Sequence, residues 1–214
     1  MKRILSKIRT ALLFSIFVST GFLLACIDEV EGTFYISDEA LKYQIDTTIT
    51  SFQMQDNFGI TEGFYLDQNI WYATHHYFSQ VGNGATYIET FGVNYYSVLG
   101  NYSFMFVLRA QVEYTQMEIE WNQTDRISYN FNSKKVESGL KANISFFDSL
   151  SVRNHTYYRI IEVDFSTIAN QIGPDTPLKI FISGNDGLIK FIRKEGIVVE
   201  RIYNEQPVPI QQPW

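Results

Sequence analysis

The chain has 214 residues, 45% of them hydrophobic and 16% aromatic, so it is long enough to enclose a substantial core. The net charge is −6 overall, but the first 25 residues hold four cations and no anion, so the rest carries 13 Lys and Arg against 23 Asp and Glu. A surface this acidic repels a phosphate backbone, which argues against nucleic acid as a partner. Cys26 is the one cysteine, so the sequence supplies no intrachain disulfide and no thiolate metal site.

Residues 1–25 have the layout of a secretory signal peptide. Four Lys and Arg residues precede an apolar run at 11–24, which is 14 residues long and ends before the small residue Ala25. A helix that crosses a bilayer needs about 20 apolar residues, so this run predicts a cleaved signal and not a membrane span.

The residues Leu23, Leu24 and Ala25, directly before Cys26, resemble a bacterial lipobox. The resemblance implies that these three residues are recognised by the signal peptidase and that the Cys26 thiol is acylated. The mature chain would then begin at Cys26 and be anchored to a membrane through several acyl chains, each buried CH₂ adding about 0.8 kcal/mol. The alternative is an ordinary signal-peptide cleavage that leaves Cys26 as a free thiol.

Residues 26–32 form an acidic tether. In Gram-negative lipoproteins an Asp directly after the cysteine resembles an inner-membrane retention signal, but this chain has Ile27 there. The acidic residues that follow are similar to short acidic export signals: Asp28, Glu29 and Glu31. The alternative is that they form a solvated tether that carries no sorting signal. We therefore expect a protein of the cell envelope and favour the outer membrane over the inner membrane. Exposure at the cell surface is compatible with this location.

Residues 33–204 predict one β domain, and its first half is rich in alternating apolar residues. Leu41, Tyr43 and Ile45 alternate with polar residues and predict a strand, with a bulge near Thr50 where the alternation changes phase. The aromatic stretch 64–77 predicts one or two strands. Residues 103–108 predict a strand covered on both faces, continuing as one long strand to 121 with a bulge near Thr115.

The second half predicts further short strands and a closing meander. Short turns at 184–187 and 194–196 make an antiparallel meander of the last three strands. The predicted elements are strands at 127–131, 141–147, 152–164, 178–183, 187–193 and 197–202, one or two helical turns at 165–171, and a flexible Pro-rich tail at 205–214. No long helix is predicted after the signal peptide, so the fold class is all-β: a curved antiparallel sheet, half-barrel or β-sandwich in a single domain.

The last third of the chain resembles the C-terminal portion of Gram-negative envelope lipoproteins of unknown function. The residues that carry the resemblance are 146–150, 157–161, 179–182, the Gly-Leu-Ile-Lys-Phe element at 187–191, Gly196 and Val199. Phe181 and Ile182 stand where that group has two tyrosines. The resemblance implies a curved antiparallel sheet or half-barrel and leaves the activity open.

Catalytic and metal sites are not indicated. His75 and His76 are adjacent on a predicted strand and would point to opposite faces, and His155 follows 79 residues later, so we predict no metal site. Glu113, Glu118 and Glu120 fit a solvated strand face. The sequence has no nucleophile elbow, phosphate loop or zinc motif, so we expect a non-enzymatic protein without a cofactor.

The aromatic residues are the candidate ligand site. Trp71, Tyr72, Tyr77, Tyr95 and Tyr96 would stack on sugar rings or line an apolar pocket, or else form cross-strand pairs within the sheet. Adjacent residues on a strand cannot both point inward, so one member of each doublet should be exposed or covered by a loop. The leading hypothesis is a lipid-anchored module that binds an apolar or carbohydrate ligand. The alternative is a structural or assembly lipoprotein that contacts another envelope protein, and a hydrolase comes third.

Overall fold

The computed structural model describes residues 29–67, 75–78 and 84–203, and these residues confirm the all-β class. Helical structure among them is limited to the four-residue helix α1 (Asp38–Leu41) and a 3-10 turn at Ser166–Ile168. No helix in these ranges is long and apolar enough to cross a bilayer. The strands are β1 (Glu29–Phe34), β2 (Ser51–Asp56), β3 (Thr61–Leu66), β4 (His75–Phe78), β5 (Gly84–Ile88), β6 (Thr90–Ser97), β7 (Ser103–Ala110), β8 (Thr115–Trp121), β9 (Asp125–Asn130), β10 (Lys135–Gly139), β11 (Asn143–Val152), β12 (His155–Asp164), β13 (Lys179–Ser183), β14 (Gly187–Ile192) and β15 (Val198–Ile202).

The described chain divides into two compact units. Residues 29–33, 75–78 and 84–87 belong to the smaller unit and carry most of a three-stranded sheet, ordered β1-β5-β4. The larger unit contains a twelve-stranded antiparallel sheet, ordered β10-β9-β8-β7-β6-β3-β2-β15-β14-β13-β12-β11.

The twelve-stranded sheet curves until it is nearly closed and barrel-shaped. Its two edge strands, β10 and β11, are consecutive in the chain and are linked only by residues 140–142. A link of that length spans at most about 14 Å, so the two edges lie close together. The rings of Tyr129 on β9 and Phe146 on β11 are accordingly 5.4 Å apart between centroids. The curvature predicted from the sequence is thus confirmed.

Two runs of sequential strands make up this sheet. One run contains β2, β3 and β6 to β10, and the other is the meander β11 to β15, whose last three strands pair as predicted. The runs are joined by the antiparallel pairing of β15 with β2, from Val199 opposite Asp56 to Ile202 opposite Gln53.

Alternating side chains fill the inside of the sheet. Phe104 and Phe106 on β7 are 0% exposed and face the same interior as Ile119 and Trp121 on β8, which are 2% and 0% exposed. The Trp121 ring lies 5.1 Å from that of Phe191 on β14, on the far side of the interior. Close packing between opposite walls means that the interior is a core and not a hollow.

The segment 34–50 covers one end of the sheet, called here the lower end, where the β7–β8 and β13–β14 turns lie. The Ser37 side chain accepts a hydrogen bond from the Ala40 amide and so caps α1. The Ser37 amide donates to Oγ1 of Thr115 at 2.9 Å, and the Asp46 amide donates to the carbonyl of Asn185 at 2.8 Å. These bonds attach the segment to opposite walls of the sheet.

The segment 165–178 covers the opposite, upper end. Asp125 at the start of β9 accepts hydrogen bonds from the Gly173 amide at 3.1 Å and from the Thr176 hydroxyl. The Trp121 indole donates to the carbonyl of Asp175 at 3.1 Å. Both ends of the filled interior are therefore covered by irregular segments.

Two of the predicted strands were wrong. The predicted strand over Leu41, Tyr43 and Ile45 is the end of α1 and a loop, because capping by Ser37 starts a helical turn. Residues 108–121 do not form one bulged strand. They form a hairpin whose turn is closed by the Gln111 amide donating to the Tyr114 carbonyl at 2.7 Å, so no bulge lies near Thr115.

The tip of the β11–β12 hairpin bends away from the sheet at Arg159, whose φ of 55° is left-handed. Beyond this bend Val152 and Tyr157 pack with Ile160 and Ile189 in a second, smaller cluster outside the main core. The hairpin tip thus lies against the outer side of β14.

Candidate functional site

Six of the predicted site residues lie outside the described residues, namely Leu23, Leu24, Ala25, Cys26, Trp71 and Tyr72. Tyr77 lies on β4 beside His75 and His76, where the structure describes the course of the strand alone. The lipid anchor and this half of the aromatic set therefore stay predictions.

Tyr95 and Tyr96 are consecutive on β6 and point to opposite faces of the sheet. The Tyr95 ring is 0% exposed and lies 5.1 Å from that of Phe52. The Tyr96 ring is half-buried on the outer face, and its hydroxyl accepts a hydrogen bond from Nδ2 of Asn94 at 2.7 Å. The structure therefore does not bring the two rings together in one site.

The most unusual polar group of the larger unit is Arg201. It lies on β15 opposite the buried Met54, points inward, and is only 7% exposed. Its guanidinium lies over the Phe52 ring, 4.3 Å from the centroid, and donates from Nη1 to the Asp186 carbonyl. Within the described residues no carboxylate forms a salt bridge with it. A buried cation that no carboxylate contacts directly is costly, so this position calls for an explanation.

Two buried phenol groups share the surroundings of Arg201. The hydroxyls of Tyr95 and Tyr157 are buried and have no hydrogen-bond partner in the part of the chain that the structure describes. The Tyr95 hydroxyl lies against Gly187, where an added Cβ would be 3.5 Å from it. Gly187 has a φ of 77°, which favours glycine and lets the backbone pass close to the ring.

The electrostatics show that these groups influence one another. Burial raises the pKa of Tyr95 and raises the pKa of Tyr157 to about 12, while the charge of Arg201 opposes both shifts. Burial also lowers the pKa of Arg201, and Tyr157 and Asp186 oppose that shift. The charges of Arg201 and Asp186 thus act on both hydroxyls.

The β13–β14 turn holds the Asp186 carbonyl in place. Ser183, which is 0% exposed, donates from its hydroxyl to the Asp186 carboxylate at 2.9 Å. The amides of Asn185 and Asp186 approach the same hydroxyl at 3.4 Å. The Asp186 carboxylate is therefore engaged within its own turn, and only the Asp186 carbonyl is directed to Arg201.

A stack of aromatic rings lies next to Tyr157. The His155 ring lies parallel to that of Tyr203, 3.7 Å between centroids, and meets the Tyr157 ring edge-on at 4.6 Å. His155 thus holds Tyr157 in place. Among the described residues no group of three or more His, Cys, Asp or Glu side chains is arranged to hold a metal ion.

We call Arg201, Tyr95 and Tyr157 the arginine cluster. Its two hydroxyls have no partner among the described residues and can donate a hydrogen bond, and its guanidinium is positively charged, so its chemistry suits an anionic or strongly accepting group. The sequence does not single out Arg201, because it follows Glu200 in a short strand and resembles an ordinary exposed charge. The inward alternation of Val199 and Arg201 was the available signal.

Glu118 differs from the sequence expectation of a solvated carboxylate. It is 3% exposed, although it is on the outer face of β8, and it forms ion pairs with Arg126 and, at 4.0 Å, with Arg109. Gln116 also donates to it at 3.2 Å. A carboxylate held by two cations has a structural explanation and does not suggest a catalytic acid.

Comparisons with known proteins add no relative. No protein-family model matches this chain. No curated protein and no solved structure matches it either.

Proposed function

We propose that this chain is a lipid-anchored, non-enzymatic protein of the cell envelope that acts by binding another envelope protein through its outer surface. The observation that carries the choice of a surface is the filled interior of the twelve-stranded sheet. Phe104, Trp121 and Phe191 occupy that interior with 1% exposure or less, so an apolar ligand would have to displace the core. The filled interior therefore favours surface recognition over the internal carriage of an apolar ligand.

The β11–β12 hairpin is the best candidate for the contact surface. Phe147 and Tyr158 are 45% and 61% exposed and lie on the two adjacent strands of this hairpin, Phe147 opposite Ile160 and Tyr158 opposite Ser149. Two exposed aromatic rings on one hairpin provide anchors of the type that protein interfaces use.

The open edge of the sheet supports the same location. β11 is a ten-residue edge strand with one charged residue, Asp148, so its free backbone groups can pair with an extended strand. The other edge strand, β10, has five residues, two of them charged, and a register shift between Val136 and Ser138. These features protect β10 against pairing, whereas β11 has no such protection. We propose that the partner contributes a β-strand to this edge.

Site-specific photo-crosslinking in living cells tests the contact. A benzophenone amino acid at position 147 or 158 should give an adduct with one envelope protein. The same probe at Val112, which is 65% exposed at the β7–β8 turn, is the matched control and should give none. When the benzophenone is at position 158, the additional substitution Phe147→Lys should abolish the adduct. Equal crosslinking at all three positions, or at none, would refute the proposed surface.

The lipid anchor has its own test. A clickable fatty acid should label the wild-type chain and leave Cys26→Ala unlabelled, and the variant should leave the membrane fraction. Density-gradient separation of the two membranes should place the wild-type chain in the outer one. An unlabelled wild-type chain would remove the anchor from the proposal while the hairpin contact could still be tested.

A small-ligand role is the second candidate function. It is favoured by the arginine cluster, in which the buried hydroxyls of Tyr95 and Tyr157 lack a hydrogen-bond partner among the described residues. A saturable ligand effect at Arg201 with no crosslinked partner would favour this candidate over the first.

A further inference from the structure

We propose that the β2–β3 and β6–β7 turns insert into the surface of a lipid bilayer through the side chains of Phe58, Ile60 and Leu99. We call these three side chains the apolar tips. The inference goes beyond the proposed function but rests on one part of it, the lipid anchor, which holds the domain at the bilayer.

The two turns lie side by side at the upper end of the sheet. β3 pairs with β6, with Phe64 opposite Ser97, and directly beyond this pair the Val98 amide donates to the Gly63 carbonyl at 2.8 Å. The β6–β7 turn lies at the opposite end of β7 from the β7–β8 turn, which places both turns at the upper end. The apolar tips therefore belong to one region of the surface.

The apolar tips project into open space. Phe58, Ile60 and Leu99 are 72%, 67% and 69% exposed. Gly59 and Gly100, which occupy the two turns with φ of 88° and 73°, have no atom within 4 Å of the position of an added Cβ. Single exposed apolar residues are ordinary, but three on adjacent turns form a patch, and such patches mark contact with a partner or a membrane.

The β2–β3 turn satisfies its own backbone groups. The amides of Phe58 and Ile60 donate to one carboxylate oxygen of Asp56 at 2.9 and 2.8 Å, respectively. The Gly59 amide donates to the Asp56 carbonyl at 3.2 Å, and the Gly59 carbonyl accepts from the Gln55 side chain at 3.0 Å. Backbone groups in water need no such bonds, whereas groups that leave water must be bonded within the protein. The turn can therefore carry its apolar residues out of water without unbonded amides.

The charge and size of the patch favour a bilayer over a protein partner. Residues 57–61 and 98–102 contain no Asp, Glu, Lys or Arg, so no anion of this acidic chain lies in the two turns to be repelled by anionic headgroups. Three side chains offer far less than the roughly 800 Å² per partner that a stable protein interface buries. A bilayer needs no such area, because the anchor keeps the domain at a high effective concentration beside it.

The length of the tether permits this orientation. The segment 34–50 covers the lower end, so insertion of the upper end raises Phe34 above the bilayer by the height of the sheet. The eight residues of β7 span about 26 Å along the strand, and a strand tilt of about 40° reduces the height to roughly 20 Å. The chain from Cys26 to Phe34 reaches up to about 28 Å, which is sufficient.

The depth of a fluorescent probe in pure phospholipid vesicles tests the insertion. Asn57→Cys places a thiol beside Phe58, and Ser133→Cys places one in the exposed β9–β10 turn at the lower end, as the matched position. The lipidated full chains carry an NBD label at that thiol and are bound to phosphatidylcholine vesicles that contain nitroxide-labelled lipid. The probe at 57 should be quenched and blue-shifted, and the probe at 133 should not. High salt should leave the quenching unchanged, because the apolar tips carry no charge.

Variants connect the quenching to the apolar tips. Phe58→Ser together with Leu99→Ser should lower the ratio of inserted to free turns about hundredfold, since each apolar side chain contributes roughly tenfold. Val112→Ser is the matched control, because Val112 is 65% exposed at the β7–β8 turn of the lower end, and it should leave the quenching unchanged. All three substituted residues are exposed, so the variants should fold like the wild type.

The failure of the insertion and the failure of the anchor give different results. A wild-type chain that accepts the thiol label, or does not float with the vesicles, refutes the acylation of Cys26 and removes this inference with it. A chain that floats while the probe at 57 stays unquenched refutes the insertion alone. Equal quenching in the Phe58→Ser, Leu99→Ser variant also refutes it. A blue shift without quenching would overturn the bilayer in favour of a second copy of the chain.

Discussion

Arg153, at the tip of the β11–β12 hairpin, donates hydrogen bonds to both the side chain and the carbonyl of Gln55 on β2, 98 residues earlier in the chain. The donor–acceptor distances are 3.0 and 3.2 Å, and Glu200 on the intervening β15 lies 3.9 Å from the same guanidinium. The contact ties the bent tip to the strand pair that joins the two runs of the sheet.

Arg153→Ala should release the hairpin tip. The contact is partly exposed, so the loss in unfolding free energy should be only about 1 kcal/mol. Hydrogen exchange of residues 149–158 should accelerate by about tenfold, since local opening becomes less costly. Denaturant titration and exchange mass spectrometry measure the two effects. Lys135→Ala on the opposite edge is the control, and equal acceleration in that variant would contradict a specific attachment.

Trp121→Phe should be among the most destabilising conservative changes. The indole is 0% exposed, packs on Phe104, Tyr102 and Phe191, and donates to the Asp175 carbonyl. Loss of volume together with an unpaired carbonyl should cost about 2–4 kcal/mol. Chemical denaturation measures this loss of unfolding free energy. Leu99→Ala, at a residue 69% exposed, should stay within about 0.5 kcal/mol, and a similar loss in both would argue against the packed interior.

Asp125→Ala should loosen the segment that covers the upper end of the sheet. The carboxylate accepts from the Gly173 amide and from the Thr176 hydroxyl, and both donors lose their partner in the variant. We expect a loss of about 2–3 kcal/mol and faster hydrogen exchange confined to residues 165–178. Asp148→Ala on the exposed edge strand is the control. Unchanged exchange in 165–178 after Asp125→Ala would show that the cover is held by other contacts.

Alkaline pH should destabilise the fold through the buried tyrosines. Tyr95 and Tyr157 ionise near 10.0 in an unfolded chain and at higher pH in the folded one, because burial raises both pKa values. The folded state therefore retains protons that the unfolded state loses. The contribution of these two tyrosines to stability is constant below about pH 10 and falls above it, by up to about 1.4 kcal/mol per pH unit for each tyrosine.

Denaturant titrations between pH 8 and pH 11 would detect this fall. The double variant Tyr95→Phe, Tyr157→Phe should lose stability less steeply above about pH 10. At neutral pH it should be as stable as the wild type or about 1 kcal/mol more stable, because neither removed hydroxyl has a hydrogen-bond partner in the described ranges. Tyr96→Phe should keep the wild-type slope. A double variant with the wild-type alkaline slope would contradict the burial of these hydroxyls.

Local patterns in the sequence predicted much of the sheet. The Gly-containing turns at 184–187 and 194–196 set the closing meander, and the alternation of Met117, Ile119 and Trp121 identified a core-facing strand. The turn at 111–114 contains neither Gly nor Pro, so it could not be distinguished from a strand. Tyr43 and Ile45 alternate like strand residues, but they are placed by the packing of the lower segment against the core.

The candidate site was less accessible to sequence reasoning. Whether aromatic residues line a cavity or fill it depends on how far the sheet closes. The distance between opposite walls of the sheet is not encoded by any local pattern in the sequence. Arg201 and Glu118 have the alternation of strand residues, but their burial depends on elements far away in the chain. The hydroxyl of Tyr95, which has no hydrogen-bond partner in the part of the chain described, likewise lies against Gly187, a residue that comes much later in the sequence.

The pairing of β2 with β15 has a consequence for how the protein folds. Residues 53–56 find their partners at 199–202, so this junction cannot form until almost the whole polypeptide is available. Each run of strands can assemble early from neighbouring strands, whereas the junction has a high contact order and should form last. Until then two unpaired strand edges are open to aggregation, and the incomplete sheet is the state that a chaperone would have to shield.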